Sequence, residues 1–206
     1  MNPMPEQIRA YDAAAPDPTA TETATVALGC FWGPDARFGA IDGVVRTRVG
    51  YAGGTDDDPT YDAIGDHTEA LQVTYDPDRC SFVDLVAVAV DEHDPTGASR
   101  KRQYDSILFH HDGEQAATIA AALDDLPVDR DAIATRVERL DGFTVAEPYH
   151  QKFQLRSKRW ITDTFDGAGY DATDVRESPA AAVLNAYAGG HEGASDPRLD
   201  GMRARG

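Results

Sequence analysis

Cys30 is the side chain in this sequence that is best suited to nucleophilic chemistry. It follows a short apolar run at residues 24–29 and precedes Phe31, Trp32 and a Gly-Pro pair, a pattern that predicts a strand leading into a helix. A thiol in the first turn of a helix feels the positive end of the helix dipole, which lowers its pKa. Phe31 and Trp32 would offer a neighbouring surface for apolar, polarizable groups. The pattern indicates thiol chemistry, but such a cysteine is as often a buried structural thiol.

The only other cysteine is Cys80, fifty positions further along the chain. A structural disulfide is not expected in a chain whose sequence indicates an intracellular protein. The two thiols lack C-x-x-C spacing and the six histidines are scattered, so the sequence predicts no structural zinc site and no bound metal. The chemistry of cysteine in this chain is therefore expected to be nucleophilic or redox.

The elements that must position Cys30 follow from hydrophobic periodicity. Val45, Thr47, Val49 and Tyr51 alternate with arginines, which is typical of a half-buried strand. The pattern predicts strands over residues 24–29, 45–51, 69–75, 104–109 and 133–137, and helices over residues 82–92, 114–126, 154–165 and 179–188, the first of them capped by Ser81. This arrangement predicts a two-layer α+β domain.

The rest of the chain is divided by composition. Residues 1–23 are rich in Pro, Ala, Thr and Asp without an apolar period, and they are expected to form a flexible arm. Residues 24–165 hold the predicted domain. Residues 166–206 are expected to form a peripheral C-terminal extension, disordered after Gly190.

The charge balance excludes several classes of partner. The chain carries 36 acidic and 19 basic residues, a formal net charge of -17 spread along its length. Nucleic acid and anionic membranes are therefore poor partners. A uniformly acidic surface suits a halophilic protein, because molar salt shortens electrostatic screening to about 3 Å. The sequence contains neither a long apolar span nor a secretory signal, so we expect a soluble, cytoplasmic protein.

Eight short motifs occur in an order that resembles the peptide methionine sulfoxide reductase A family. They are G-C-F-W-G at 29–33, G-Y-A-G-G at 50–54, D-P-T-Y at 58–61, G-D-H-T-E-A at 65–70, Y-D-P at 75–77, H-D-P-T at 93–96, Q-Y-D-S at 103–106 and A-E-P-Y-H-Q at 146–151. The resemblance covers about residues 24–165. It implies a ferredoxin-like α+β core with extended loops, and reduction of the S epimer of methionine sulfoxide in oxidised peptides and proteins or as the free amino acid.

The resemblance also implies roles for individual residues. Cys30 is the attacking thiol and becomes a sulfenic acid, Phe31 and Trp32 cage the substrate methyl group, and Glu69, Tyr61 and Tyr104 hold the sulfoxide oxygen. Strand parity independently places Glu69 on the apolar face of its strand, where burial should raise its pKa and make it a proton donor. The reaction needs no metal or organic cofactor, only a thiol reductant that is thioredoxin-like or a small molecule.

Three features depart from the family, and one of them is that the block at residues 65–69 is shorter than the common form. Residues 97–102 form a compressed segment where many members have a longer insert, and no cysteine follows Cys80 to resolve the sulfenic acid. If Glu69 lies at the site, the strand that begins there carries the chain about 20 Å away before Cys80 is reached. Cys80 is therefore not expected to resolve Cys30, and an external thiol must do so.

Two other functions remain open from sequence alone. Cys30 could serve a cysteine-dependent acyl-transfer enzyme, with His67, His93 or His150 as its base. The compressed segment could instead indicate a non-catalytic domain that binds oxidised methionine. A hydrogen bond between an imidazole nitrogen and the Cys30 sulfur would favour the first of these. The sequence predicts that the histidines hold loops and caps.

Overall fold

A computed structural model describes residues 4–191 and 198–199 of the chain. The helices are α1 Pro5–Ala13, α2 Trp32–Phe38, α3 Phe82–Asp91, α4 Gly113–Asp124, α5 Phe153–Arg156, α6 Arg159–Gly167, α7 Ala172–Glu177 and α8 Pro179–Ala188. The strands are β1 Glu22–Leu28, β2 Val44–Ala52, β3 Thr68–Tyr75, β4 Ser106–His110, β5 Arg136–Arg139 and β6 Phe143–Val145. The predicted α+β class is confirmed.

The six strands form one sheet in the order β5-β4-β1-β3-β2-β6. All neighbouring pairs are antiparallel except β4 and β5, which are parallel. The alternating pattern of β2 produces the expected strand, whose Thr47, Val49 and Tyr51 are buried. Tyr51 lies opposite Glu69 on β3, so the sheet itself brings these two side chains together.

One face of the sheet carries the main core. Residues from α2, α3 and α4 pack against alternate residues of β1, β2 and β3, and the buried members include Val26, Phe31, Phe38, Val49, Leu71, Val73, Leu85, Val86, Ile119 and Leu123. Ser81 caps α3 as predicted, because its hydroxyl accepts a hydrogen bond from the Asp84 N–H at 3.2 Å. The helices thus cover one face and fix the loops at the ends of the strands.

The two terminal segments differ from their predictions. The flexible arm predicted for residues 1–23 is corrected, because α1 packs its fully buried Ile8 into a second core formed with α6 and α8. Arg9 ties the helix down by donating a 2.7 Å hydrogen bond to the Ala168 carbonyl. Only one apolar side chain of α1 is buried, so the sequence shows no helical repeat of apolar residues there and the helix could not be predicted. Residues 1–3 lie outside the described residues.

The C-terminal extension is likewise not peripheral over its described part. Helix α8 has the predicted bounds, yet its Ala180, Ala181 and Leu184 are buried, and it packs on α2 and α5. The disorder predicted after Gly190 concerns mainly residues 192–197 and 200–206, which lie outside the described residues. Small side chains allow α8 to approach other helices closely, which explains how a weakly apolar segment enters the core.

Three further boundaries differ from the sequence pattern. The helix predicted over residues 154–165 is divided into α5 and α6, with a break at residues 157–158. The strand predicted over residues 133–137 lies a few residues further along the chain, as β5 at Arg136–Arg139. The short edge strand β6 was not predicted. Within residues 4–191 and 198–199, no helix combines the length and apolar composition that a membrane span requires.

Candidate active site

Cys30 lies at the point where β1 turns into α2, as the sequence predicted. Gly29 adopts a φ of 78°, a left-handed conformation that glycine accepts without strain. The turn leaves Cys30 exposed at the end of the central strand, two residues before the first helical residue, Trp32. The thiol is therefore free of disulfide partners and reachable from solvent.

The pKa of Cys30 shifts opposite to the sequence prediction. Desolvation raises the pKa of the thiol, the backbone N–H of Trp32 lowers it, and the nearby Glu69 raises it again. The prediction of a lowered pKa is wrong because the removal of water outweighs the contribution of the helix terminus. Cys30 is therefore mainly a thiol at neutral pH, and its conversion to a nucleophile depends on neighbouring groups.

Glu69 is buried beside Cys30 at the start of β3, with 2% of its surface exposed. The Phe31 N–H donates a hydrogen bond to its Oε2 at 3.1 Å, and the Gln103 amide donates one to its Oε1 at 2.7 Å. Burial raises the pKa of the carboxyl, although these two hydrogen bonds act in the opposite direction. The expectation of an inward carboxyl with a raised pKa is confirmed.

Tyr104 and Tyr61 come together next to this carboxyl. Desolvation raises the pKa of Tyr104, and the charges of Glu69, Tyr61 and Cys30 together with a hydrogen bond between the two phenols raise it further. Tyr61 is 37% exposed and belongs to the loop between β2 and β3. The structure thus places both phenols, the carboxyl and the thiol in one site. All four were selected from sequence.

Aromatic rings form the apolar side of the site. Phe31 is buried, and its ring centroid lies 6.4 Å from that of Trp32. Trp32 stacks on Phe153 with a centroid separation of 3.7 Å and an interplanar angle of 7°. This stacking fixes the orientation of the indole, which lies two residues after the thiol in the chain. Phe153 was not selected from sequence.

The segment 146–153 contributes Glu147, which was not selected from sequence, and His150, which was considered from sequence only as a base for Cys30. Glu147 accepts hydrogen bonds from the Tyr51 hydroxyl at 2.7 Å and from the Tyr61 N–H at 2.9 Å, so it fixes the loop that carries Tyr61. His150 is buried, with ring centroids 5.2 Å from Phe31 and 4.7 Å from Tyr61. The A-E-P-Y-H-Q motif was the available signal, but spacing alone did not show which of its residues face Cys30.

Two buried side chains attach this segment to the sheet. The Gln151 amide accepts from the Val49 N–H at 3.1 Å and donates to the Val49 carbonyl at 2.8 Å, which mimics strand pairing. The Lys152 ammonium binds Asp35 Oδ1 at 3.1 Å and the Thr47 carbonyl at 2.5 Å. Because Asp35 belongs to α2, the ion pair also fixes the helix that follows Cys30.

The histidines do not activate Cys30. His93 closes α3, with Nδ1 2.6 Å from the Ala89 carbonyl and Nε2 2.7 Å from the Thr135 hydroxyl. His67 Nδ1 lies 3.6 Å from Asp66, and neither nitrogen of His150 has a hydrogen-bond partner among the described residues. No imidazole of the described chain bonds the Cys30 sulfur. This observation removes the support for an acyl-transfer enzyme.

Cys80 lies at the other end of β3 from Glu69. It is buried in the main core, its Sγ contacts the Ser81 carbonyl at 3.7 Å, and desolvation with nearby Asp84 and Asp42 raises its pKa to about 11. The eight residues of β3 separate the two ends by about 23 Å at 3.3 Å per residue. Cys80 is thus neither near Cys30 nor readily ionised.

The compressed segment 97–102 is long enough to let the residues that follow it, Gln103 and Tyr104, reach the site. Arg102 donates hydrogen bonds to the Gly53 carbonyl at 2.6 Å and to the Asp66 carbonyl at 3.1 Å. It also contacts Glu138 at 3.3 Å. Gln103 and Tyr104 follow directly and reach Glu69. Across the described residues, no group of three or more His, Cys, Asp or Glu side chains could hold a metal ion.

The peptide methionine sulfoxide reductase family matches residues 22–171 of the chain. The chain belongs to this family. A peptide methionine sulfoxide reductase of Drosophila melanogaster is 38% identical over 171 residues, which cover 82% of this chain and 68% of the relative. The MsrA enzyme of Methanothermobacter thermautotrophicus is 39% identical over 150 residues, covering 67% and 89%.

Solved structures agree with this assignment to the methionine sulfoxide reductases. Methionine sulfoxide reductase A of Corynebacterium diphtheriae superposes with a TM-score of 0.59 at 29% identity, over 66% of this chain and 75% of that one. The family resemblance inferred from the eight motifs is therefore confirmed. The match spans Cys30, Glu69, Tyr61 and Tyr104, together with the segment 146–153.

Proposed function

We propose that this protein reduces methionine S-sulfoxide in peptides, proteins or the free amino acid to methionine. The observation that carries the proposal is the direct link between Cys30 and Glu69 through the Phe31 N–H. The neighbouring thiol, the buried carboxyl with a raised pKa and the two phenols together support the proposal. Trp32, stacked on Phe153, supplies the apolar wall that a sulfoxide methyl group requires.

The geometry supports attack of Cys30 on an activated sulfoxide. Sulfoxide sulfur is a poor electrophile until its oxygen is protonated or strongly hydrogen-bonded, and neutral Glu69 with the Tyr61 and Tyr104 hydroxyls can do this. The oxygen passes to the Cys30 sulfur, which is oxidised to a sulfenic acid, while the sulfoxide is reduced to methionine. A neutral Glu69 also favours the reaction because its carboxylate would raise the pKa of Cys30.

Regeneration is assigned to an external thiol. A first thiol attacks the Cys30 sulfenic acid, releasing water and forming a mixed disulfide, and a second thiol reduces that disulfide to restore Cys30. The exposure of Cys30 and the burial of Cys80 at the opposite end of β3 both support this route. A small-molecule thiol or a thioredoxin-like protein would serve, and no metal or organic cofactor takes part.

The test of this function is a steady-state assay with a peptide containing racemic methionine sulfoxide and dithiothreitol. We expect turnover that stops near half conversion, since the family resemblance implies use of the S epimer alone. Complete conversion would contradict the stereochemical assignment. No turnover would favour the non-catalytic, oxidised-methionine-binding alternative, which equilibrium binding of the same peptide would then reveal.

Replacing Glu69 with glutamine should slow the reaction about ten- to a thousandfold, the range expected when a general acid or oxyanion donor is weakened. Single-turnover formation of methionine at saturating peptide measures the effect. The matched control is Glu114→Gln at an exposed position on α4, which should leave the rate unchanged. If the Glu69→Gln enzyme reacts as fast as the parent, the Glu69 carboxyl does not act as the proton donor.

Replacing Cys80 with serine should leave dithiothreitol-supported turnover intact, because Cys80 is remote from Cys30 and its pKa of about 11 keeps it protonated. Mass spectrometry of parent enzyme oxidised by one equivalent of substrate should show modification of Cys30 without a Cys30–Cys80 bridge. Detection of that bridge, or loss of turnover in Cys80→Ser with retained folding, would overturn the external-thiol route.

We also propose a topology for the core, a division of the chain into segments, and a cellular location. The chain order β1-α2-β2-β3-α3-β4, with the central sheet order β4-β1-β3-β2, supports a two-layer, ferredoxin-like core. We assign residues 24–165 to the reductase domain, residues 1–23 to an N-terminal segment and residues 166–206 to a C-terminal extension. A cytoplasmic location and adaptation to high salt are proposed from the acidic composition and from the sequence features noted above.

The net charge of -17 predicts that salt stabilises the protein. Self-repulsion is screened as ionic strength rises, so the thermal midpoint should increase with potassium chloride into the molar range. A variant with lysine at exposed Asp57, Asp78 and Asp141 carries fewer negative charges and should gain less from the same salt. Equal gains in both proteins, or a flat midpoint, would show that the acidic surface has another cause.

A further inference from the structure

Each oxygen of the Glu69 carboxyl accepts one hydrogen bond from a fixed donor. Oε2 accepts from the Phe31 backbone N–H, which directly follows Cys30 in the chain. Oε1 accepts from the Gln103 amide at 2.7 Å, the shorter of the two contacts. The first donor joins Glu69 to the nucleophile. The second comes from a different part of the chain, the short helix Arg102–Tyr104.

We propose that Gln103 is a positioning residue that stabilises the Glu69 carboxylate formed when Glu69 gives its proton to the sulfoxide oxygen. This inference rests on the proposed function and extends the set of residues that carry it. Gln103 acts through Glu69 and does not itself touch the reacting atoms.

The chemical basis is the difference between a neutral and an ionised acceptor. During the reaction, the Glu69 proton moves to the sulfoxide oxygen, which leaves with it as the hydroxyl of the Cys30 sulfenic acid. The proton lost by the Cys30 thiol returns Glu69 to its neutral form, so protons balance over the cycle. A hydrogen bond to a carboxylate is roughly twice as strong as one to a neutral acid. The Gln103 amide therefore stabilises the transition state more than the ground state.

The surroundings of Gln103 keep its amide in place. It lies in a short 3-10 helix, Arg102–Tyr104, whose first carbonyl accepts a 2.9 Å hydrogen bond from the Thr68 hydroxyl. Arg102 is itself bound to two carbonyl groups of the loop between β2 and β3. Because Thr68 precedes Glu69 on β3, the donor and the carboxyl are fixed to the same strand end. A preorganised donor needs no rearrangement when charge develops on its partner.

Three titratable groups also face Glu69, namely Cys30, Tyr51 and Tyr104. A negative charge on any of them would oppose ionisation of Glu69. The Gln103 amide and the Phe31 N–H favour it, and both lower the pKa of the carboxyl relative to the effect of burial alone. Of these two donors, only Gln103 can be removed by substitution without changing the backbone beside the nucleophile.

The test compares Gln103→Met with Gln72→Met. Gln72 lies on the same strand as Glu69, on its opposite face, and its side chain has no hydrogen bond to any described residue. For Gln103→Met we expect kcat to fall about ten- to a hundredfold with little change in KM, the range for losing a hydrogen bond to a charged group. The pKa of Glu69, followed by carboxyl carbon NMR in the reduced enzyme, should rise. Gln72→Met should match the parent in both measurements.

Two results would overturn the proposal. One is an unchanged kcat in Gln103→Met. The other is a lower kcat with an unchanged pKa of Glu69, which would indicate a merely structural contribution. In a Glu69→Ala background, Gln103→Met should cause no additional loss, because its only route to the reaction has been removed. The NMR titration does not require turnover. An inactive parent enzyme whose Glu69 pKa still rises in Gln103→Met would refute the proposed function while leaving the assigned contact intact.

Discussion

The Cys30→Ser variant is expected to show no measurable sulfoxide reduction while retaining the fold of the parent chain. A serine hydroxyl is a far weaker nucleophile than a thiol and cannot be oxidised to a sulfenic acid, so both the attack and the oxygen transfer are lost. The fold should persist because Cys30 is exposed and forms no disulfide. Methionine formation with dithiothreitol measures activity, and circular dichroism with thermal unfolding measures integrity.

Cys80→Ser provides the matched control, since it makes the same chemical change at the only other cysteine. We expect no sulfoxide reduction in Cys30→Ser and full activity in Cys80→Ser. Substantial turnover in Cys30→Ser would mean that another group delivers the electrons, and the assignment of Cys30 as nucleophile would fail.

The Lys152→Met variant is expected to lose about 3–5 kcal/mol of unfolding free energy, the range for removing one partner of a buried ion pair. Lys152 and Asp35 are both fully buried. The ammonium bonds Asp35, the Thr47 carbonyl at 2.5 Å and the Thr47 hydroxyl at 2.9 Å. Without it, the Asp35 carboxylate stays in the core with no counter-ion. Urea unfolding, read as the midpoint together with its slope, measures the loss.

Lys101→Met is the control for that loss, since Lys101 is an exposed lysine and its replacement should change stability by no more than about 0.5 kcal/mol. Adding Asp35→Asn to Lys152→Met should recover part of the loss, because the buried charge is then removed as well. Equal stabilities of Lys152→Met and Lys101→Met would show that the pair does not hold α2 and the segment 146–153 to the sheet.

Several features of the site could be predicted because they depend on local pattern. The alternation along β2 and β3 fixes which side chains face the helices, and it is sufficient to predict that Glu69 points inward. Ser81 identified the start of α3. The break in apolar character after residue 29 located Cys30 at a strand end. In each case the deciding information lies within about ten residues of sequence.

Other features depend on contacts between distant parts of the chain. Lys152 follows a polar motif and would be expected on the surface, yet it is buried against Asp35, 117 positions away. The roles of Gln103 and Glu147 follow only from their partners, which are the Glu69 carboxyl for Gln103 and the loop that carries Tyr61 for Glu147. The sign of the Cys30 pKa shift depends on desolvation by neighbouring elements, which competes with the local helix terminus. Helix α1 contributes a single fully buried side chain, too little to produce a period.

The most direct test of the central claim is a single turnover without reductant. Reduced enzyme is mixed with one equivalent of a methionine S-sulfoxide peptide, quenched, and analysed for methionine peptide and for a sulfenic-acid adduct on each cysteine. We predict close to one methionine peptide per enzyme, with the adduct on Cys30 and unmodified Cys80. Absence of methionine, or methionine formed while Cys30 stays a free thiol, would contradict thiol-dependent sulfoxide reduction at this site.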